Sequence, residues 1–435
     1  MRIISLVLTV VLLSAAGVAV ADDGTWAVDA DGNWSDFGNW VSGVIADGAD
    51  YTAYFTHDIS AVRNVDLTGN RTIGHLVFSD GGADTNRWTI DDLDTWTLTL
   101  SAPSGTPSIT CTNRTWLWCA LVGTQGFIYS GGENLDLGNA DHTGLTGDIV
   151  VNGSRLDVGP GATFNPAANF VTNSTVAFNA STAIGSLSGT GSVLLYDQVQ
   201  LTVGAGGQTT TFNGYIEGLA GGNPESLRKI GSGTLTLTST SVVNDWRGGT
   251  TLENGVISVS DQENLGDGGG LAGALTFDGG TLQVTGTTFG EYTRGYNWAA
   301  GGGTFDIADG GHTFTVNDAL TGSGGLTKIG PGTLALAGAN TFEGGTIIEA
   351  GTLRVTGANE RLFNNSDVQV DATGTFHVDG FTETIDTLTG TGTTQLDGEL
   401  RIGNADSTFT YDGNFAGSGD LRKLGTGTWT LIWQR

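Results

Sequence analysis

The sequence predicts an all-β chain wound as a parallel β-solenoid, and three observations carry that expectation. First, the three lysines all occupy one position of a recurring phrase: Leu227-Arg-Lys229-Ile-Gly231-Ser-Gly233-Thr-Leu, Leu326-Thr-Lys328-Ile-Gly330-Pro-Gly332-Thr-Leu and Leu421-Arg-Lys423-Leu-Gly425-Thr-Gly427-Thr-Trp429. The spacings of 99 and 95 residues mark a long internal repeat that must hold several smaller steps. Second, segments of four to six residues alternate apolar side chains with Thr, Ser, Gln or Asp, the period of a half-buried strand. Third, glycine supplies 72 of 435 residues, well above the usual ~7%. Its pairs fall between the strands, where the chain needs backbone angles closed to other residues. A unit of ~97 residues divides into about four rungs of ~20–25 residues, each strand bonding to the rungs above and below. Leu, Val, Ile and Phe stack inside; threonine lines the outside.

At the N-terminus, Arg2 precedes an apolar run from Ile3 to Leu13, and small residues follow to Ala19-Val20-Ala21. This is the pattern of a secretory signal peptide, residues 1–21, with an A-x-A cleavage site. The mature chain is expected to begin at Asp22. The run is too short for a membrane span, and no other long apolar run follows, so no transmembrane segment is expected after signal removal. Residues 22–105 form a Trp- and Asp-rich β region in which Trp26, Trp34 and Trp40 alternate with turn phrases. A solenoid needs such a cap, because its end rung otherwise exposes apolar interior and an open strand edge. Residues 106–210 read as less regular rungs. Residues 211–435 carry the plain repeat, where Gly248-Gly249-Thr-Thr-Leu-Glu253-Asn-Gly255 matches Gly344-Gly345-Thr-Ile-Ile-Glu349-Ala-Gly351.

The formal net charge of −28 argues against nucleic acid, whose phosphates require basic surface, and against anionic lipid. Cys111 and Cys119 lie eight residues apart. Export permits a disulfide between them; two buried thiols packing as small apolar groups is the alternative.

The phrase Gly-x-Gly-Thr-Leu-x-Leu, followed by Asn340-Thr-Phe342-x-Gly344-Gly345-Thr and x-Ala-Gly351-Thr-Leu-x-Val355, resembles the autotransporter-associated β-strand repeat. Copies stand at 231–259 and 330–355, with an interrupted one from 425. The resemblance implies a right-handed parallel β-helix of the autotransporter passenger type, exported to the cell surface or beyond. It implies no single activity, since such helices serve as stalks, adhesins and scaffolds. A C-terminal membrane barrel needs many more alternating strands than fit before Gln434-Arg435, so self-translocation is not expected.

Candidate chemistry is sparse. The lysines read either as a row of cationic contacts or as partners of rung neighbours, Lys229 with Glu253 and Lys328 with Glu349. Asp29-Ala-Asp31-Gly-Asn33 and Asp91-Asp92-Leu-Asp94 lack the glycine and glutamate spacing of a calcium loop, and aspartates initiating turns explain them as well. The five histidines show no metal-ligand spacing. No nucleophile elbow or phosphate loop occurs. No catalytic residue, metal ligand or cofactor is therefore assigned. Trp88, Trp96, Trp116, Trp118 and Trp298 could contact glycans if exposed. The reading is an exported structural or adhesive solenoid that meets glycans or other cell-surface molecules; the alternative is a polysaccharide-active enzyme on the same coil. Thr428-Trp-Thr-Leu-Ile432 would leave an open strand edge, through which self-association is expected.

Overall fold

The computed structural model describes residues 22–81, 86–92, 95–219, 224–239, 244–266 and 274–432. The expected cleavage site at Ala19 and Ala21, together with Asp94 and Gln434-Arg435, lies outside them. The chain coils into a parallel β-solenoid of about 16 turns. One sheet of 25 strands runs the length of the stack, from Gly24–Thr25 to Trp429–Leu431. Shorter sheets of nine, six and three strands form the other sides. A single turn shows the plan. Asn169–Thr172 lies on the long sheet, Thr175–Phe178 on the nine-stranded sheet and Thr182–Ile184 on the six-stranded sheet; Ser186–Gly189 then rejoins the long sheet directly above. The step between stacked partners ranges from 17 residues, Thr175 to Ser192, to 33, His75 to Ser108. Helical structure among the described residues is confined to three short 3-10 turns.

Local sequence explains each step. Thr281–Val284 reads Thr-Leu-Gln-Val, and its burial alternates with the same period, Leu282 and Val284 inside, Thr281 and Gln283 outside. Its neighbours place Ile257 beneath Leu282 and Phe305 above it, so like columns of apolar side chains continue through the stack. Each fully buried aliphatic side chain contributes about 1.5–3 kcal/mol. The backbone satisfies itself between rungs, which removes open edges from the middle of the coil.

The Trp-rich segment closes the first rung, as expected. There the chain doubles back through antiparallel bridges, Asp22 to Asp47 and Trp26 to Trp40. Trp26, Trp34 and Trp40 are all buried. Their rings surround Phe55, which stacks on Phe78 at 5.0 Å. The Trp34 indole donates to the Ala46 carbonyl at 2.9 Å and the Trp40 indole to the Trp34 carbonyl at 2.8 Å. Large rings with anchored polar ends fill the flat end of a coil with few residues.

The long sheet passes without a break from the Trp-rich segment into the repeats, since Arg71–Phe78 pairs with Ser108–Cys111 and Thr210–Phe212 pairs with Thr234–Leu237. At the last described rung, Asp420–Lys423 is exposed, and Leu421 and Ile432 are open to solvent.

Candidate functional site

The lysine phrase proves to be a turn device facing inward. Lys229 and Lys328 are 1% and 0% exposed. The Lys229 Nζ donates to the carbonyls of Ile230 at 2.7 Å and Gly231 at 2.9 Å, and to Asn254 of the next rung at 3.4 Å. Lys328 repeats the arrangement with Ile329 at 2.6 Å, Gly330 at 2.8 Å and Ala350 at 3.2 Å. Lys423 bonds the carbonyls of Leu424 and Gly425 in the same way, on an exposed rung. Gly231, Gly330 and Gly425 take positive φ of 66°, 75° and 61°, which only glycine adopts without strain. Their spared Cβ atoms and the ammonium together let the chain turn the corner with its carbonyls satisfied. Burial pushes the Lys229 and Lys328 ammonium groups down to about 8, while three carbonyl acceptors hold the charged form.

Both expectations for the lysines are thereby corrected. No row of external cations forms, because the first two point into the coil. Nor does Lys229 meet Glu253: it stands opposite Leu252, while Arg228, the outward neighbour, grips Glu253 with two bonds of 2.5 and 2.6 Å. Lys328 stands opposite Ile348, and Glu349 is exposed. The error was one residue of pleat, and one residue moves a side chain to the other face. Gly248-Gly249 and Gly344-Gly345 lie at the corners ahead of Thr250–Leu252 and Thr346–Val355, and Gly233, Gly332 and Gly427 each sit against a carbonyl of the preceding rung.

Cys111 and Cys119 are fully buried free thiols. Burial pushes the Cys111 thiol up to about 12 and the Cys119 thiol higher still. Asp29 is taken up by Arg63 at 2.6 Å and by the Ser60 hydroxyl at 2.6 Å, and Asp31 accepts from the Asn64 amide at 2.9 Å. The first acidic cluster thus latches one rung to the next.

The tryptophans divide by position. Trp88 and Trp298 are buried, donating to the Ser79 and Gly324 carbonyls, and Trp96 is half-buried. Trp116 and Trp118 lie on the outer side of one strand end, because Thr115, Leu117 and Cys119 take the inner positions. Their rings stack at 4.8 Å with 17° between planes. The Arg87 guanidinium lies 3.4 Å from the Trp116 ring centre. Arg87 and Trp118 are too close to share one face of Trp116, so Trp118 ends the stack. It is 42% exposed.

Register sets what surrounds this pair. Trp116 lies between Thr89 and Asp136 on adjacent rungs. Leu117 pairs with Ile90 and Leu137, so Asp91 and Gly138 flank Trp118. A Cβ on Gly138 would fall 2.0 Å from Trp118 Cδ1; the indole leans across the glycine. Two depressions adjoin the ring. One of about 450 Å³ spans Asp91, Asp136 and Gly138 as far as Gly159-Pro160; the other, about 430 Å³, spans Thr95, Thr97, Val122 and Asp141. Trp118, Asp92 and Asn139 line both. Asp136 is ion-paired to Arg114 at 2.9 Å. Burial raises the Asp91 carboxyl above its usual range, and burial together with the Asp91 charge raises Asp66 on the rung before it. Among the described residues, no group of three or more His, Cys, Asp or Glu has the geometry of a metal site.

The Trp-x-Trp spacing, the period of a strand, is the signal that could have placed these two rings on one face. Arg87, Asp136, Gly138 and Asn139 were not legible, because only the rung register brings them there.

Comparison with known proteins agrees with the coil. The passenger-associated-transport-repeat family matches residues 227–259 and 326–355, the two segments built around Lys229 and Lys328. Over 202 residues the chain is 31% identical to the adhesin BmaC autotransporter of Brucella suis. The match covers 43% of this chain and 6% of that protein, so the chain spans a small fraction of its curated relative. No solved structure matches the chain. The expected resemblance to autotransporter-associated repeats is borne out.

Proposed function

We propose that this chain is an exported, adhesive β-solenoid, held at the cell surface or released outside the cell, whose outer side contacts glycans or other surface molecules. The observation that supports this most is the coincidence of passenger-type repeats with an unbroken parallel stack; the similarity to an autotransporter adhesin supports the adhesive role. The mechanism is geometric. Neighbouring rungs brace one another into a rod, and the outward side chains are left to recognition. Antibody to residues 22–432 applied to whole native cells, with and without external protease, tests display. Signal on intact cells that protease removes is expected; signal confined to the periplasm would refute surface display.

A second reading, cleavage of a glycan, rests on the carboxylates of the same groove. Asp91, whose carboxyl burial raises, and Asp136, ion-paired to Arg114, are the two carboxylates such chemistry would draw on. Their strands are two rungs apart, however, which at ~4.8 Å per rung sets the backbones roughly 10 Å from one another. Hydrolase carboxyl pairs stand about 5–9.5 Å apart. Binding without turnover fits this groove better, and no release of reducing ends from oligosaccharides is the expected assay result.

A further inference from the structure

We infer that the groove around Trp118 is a binding site for an uncharged hexopyranose of a glycan chain. The inference rests on the adhesive reading and gives it a ligand class and a place.

Trp118 stands 42% exposed at the end of an aromatic stack. One face of Trp116 is covered by Arg87 and the other by Trp118. The outer face of Trp118 is left, flat and polarisable. The axial C–H groups of a pyranose present an apolar, slightly positive patch, which suits the negative face of an aromatic ring. A peptide or lipid tail would want a longer apolar trough, and the lining beside Trp118 mixes Asp92 and Asn139 with Leu137, Val122 and Pro160.

The second element is the polar rim. Asp92 and Asn139 line the depressions on both sides of the indole, Asp91 the first and Asp141 the second. Carboxylates accept from adjacent hydroxyls, and an amide both donates and accepts. Hydroxyl-to-carboxylate bonds are among the stronger neutral-ligand contacts. Aromatic platform and diol acceptors together are what a sugar ring requires, one for its face and one for its edge.

The third element is space. Gly138 and Gly159-Pro160 follow one another on successive rungs and carry no long side chain, which leaves about 450 Å³ open beside the ring. Ligand sites of ~300–1,000 Å³ are the usual size range. With the adjoining depression of about 430 Å³, which lies further along the same rungs, the surface holds two sugar units astride Trp118, across the coil rather than in a closed pocket.

Charge chooses among sugars. Asp91, Asp92, Asp136 and Asp141 line the two depressions; the nearby Arg114 is occupied by Asp136, and Arg87 lies against Trp116. The groove is therefore negative, in a chain that is already strongly acidic. Uronates, sialates and sulfated sugars meet like charge and are rejected. Neutral hexoses and N-acetylhexosamines are accepted.

The test uses the full secreted chain and a panel of cellohexaose, maltohexaose, triacetylchitotriose and galactobiose, against oligogalacturonate and sialyllactose, by calorimetry or saturation-transfer NMR. At least one neutral oligosaccharide is expected to bind, the acidic pair not at all. Trp118→Ala is expected to weaken that binding at least tenfold, with unfolding midpoint unchanged. Gly138→Ala, which would displace the indole, should weaken it as well. Phe381→Ala, exposed far from the groove, should bind as the parent. Preference for the acidic sugars, binding by Trp118→Ala equal to the parent, or no binding of any neutral sugar would each overturn the proposal. Failure of the adhesive reading shows differently: display on cells would be absent whatever the sugar result.

Discussion

The rungs between residues 88 and 164 and those between 226 and 355 are wound on one coil but use its two sides differently. In the first, the outer side carries Trp116, Trp118, Asp91 and Asp136, while Cys111, Leu117 and Cys119 fill the inside. In the second, the outer side is mostly threonine and serine, as at Thr234 and Thr236, and the unusual residues, Lys229 and Lys328, lie inside. The inner side of every rung must close the coil, so its chemistry repeats. The outer side is released from that duty and is free to vary. On the proposed function, stability and recognition separate by pleat, one residue apart along the same strand.

The largest effect is expected at the cap. Phe55 touches Trp26, Trp34, Trp40, Phe78 and Trp88, with ring centres 5.0 to 5.9 Å away. Phe55→Ala should lower stability by about 4 kcal/mol, read from urea denaturation. A loss below about 1 kcal/mol would mean that the indoles repack without it.

The lysine corners come next. Lys229→Ala removes a buried donor from three carbonyls and should cost about 3 kcal/mol. Lys423→Ala removes the same bonds on an exposed rung, where water replaces them, and should cost under ~1 kcal/mol. Equal losses at the two positions would show that burial does not decide the value of the corner.

Titration follows, with the sign set by burial. Glu383 is 1% exposed and accepts from the Arg361 and Leu362 amides at 2.7 and 2.8 Å; burial pushes its carboxyl up to about 8. The fold therefore favours its protonated form. Its contribution is complete below the unfolded value near ~4.3 and is lost as pH rises through about 8. Lys229 and Lys328, lowered to about 8, act in the opposite sense above that point: stability returns as pH rises toward their unfolded value near ~10.4. The melting temperature against pH should show a dip near 8. In Glu383→Gln the fall between pH 5 and 8 should flatten and the rise above 8 persist; an unchanged fall would exclude Glu383 as its source.

The smallest effect belongs to the outer ion pair. Arg228 and Glu253 have side chains 37% and 29% exposed, and Arg228→Ala should cost about 0–1 kcal/mol, shrinking further in salt. A thermal shift persisting in 1 M salt would give the pair a larger place than its exposure allows.

Much of the coil was legible because its inner columns need the same residue types at every turn. Leu282 and Val284 could be placed inside from alternation alone, and the tryptophan cap from the need to close an end. The side to which each lysine points was not legible. Lys229 sits where the strand ends and the pleat meets the corner, and an ammonium is not expected inside until its three carbonyls are seen. The groove was not legible: Trp116 and Trp118 stood only among five candidate tryptophans, and Asp91 and Gly138 come beside Trp118 only through rung lengths that vary from turn to turn.

The separation of stability from recognition is tested most directly by thermal unfolding of the parent, Lys328→Ala and Trp118→Ala side by side, following circular dichroism. The account predicts a clearly lowered midpoint for Lys328→Ala and a midpoint within about 1 °C of the parent for Trp118→Ala, since exposed substitutions change stability by less than ~0.5 kcal/mol. A Trp118→Ala midpoint lowered as far as that of Lys328→Ala would contradict it, showing the outer indole to be part of what holds the coil together.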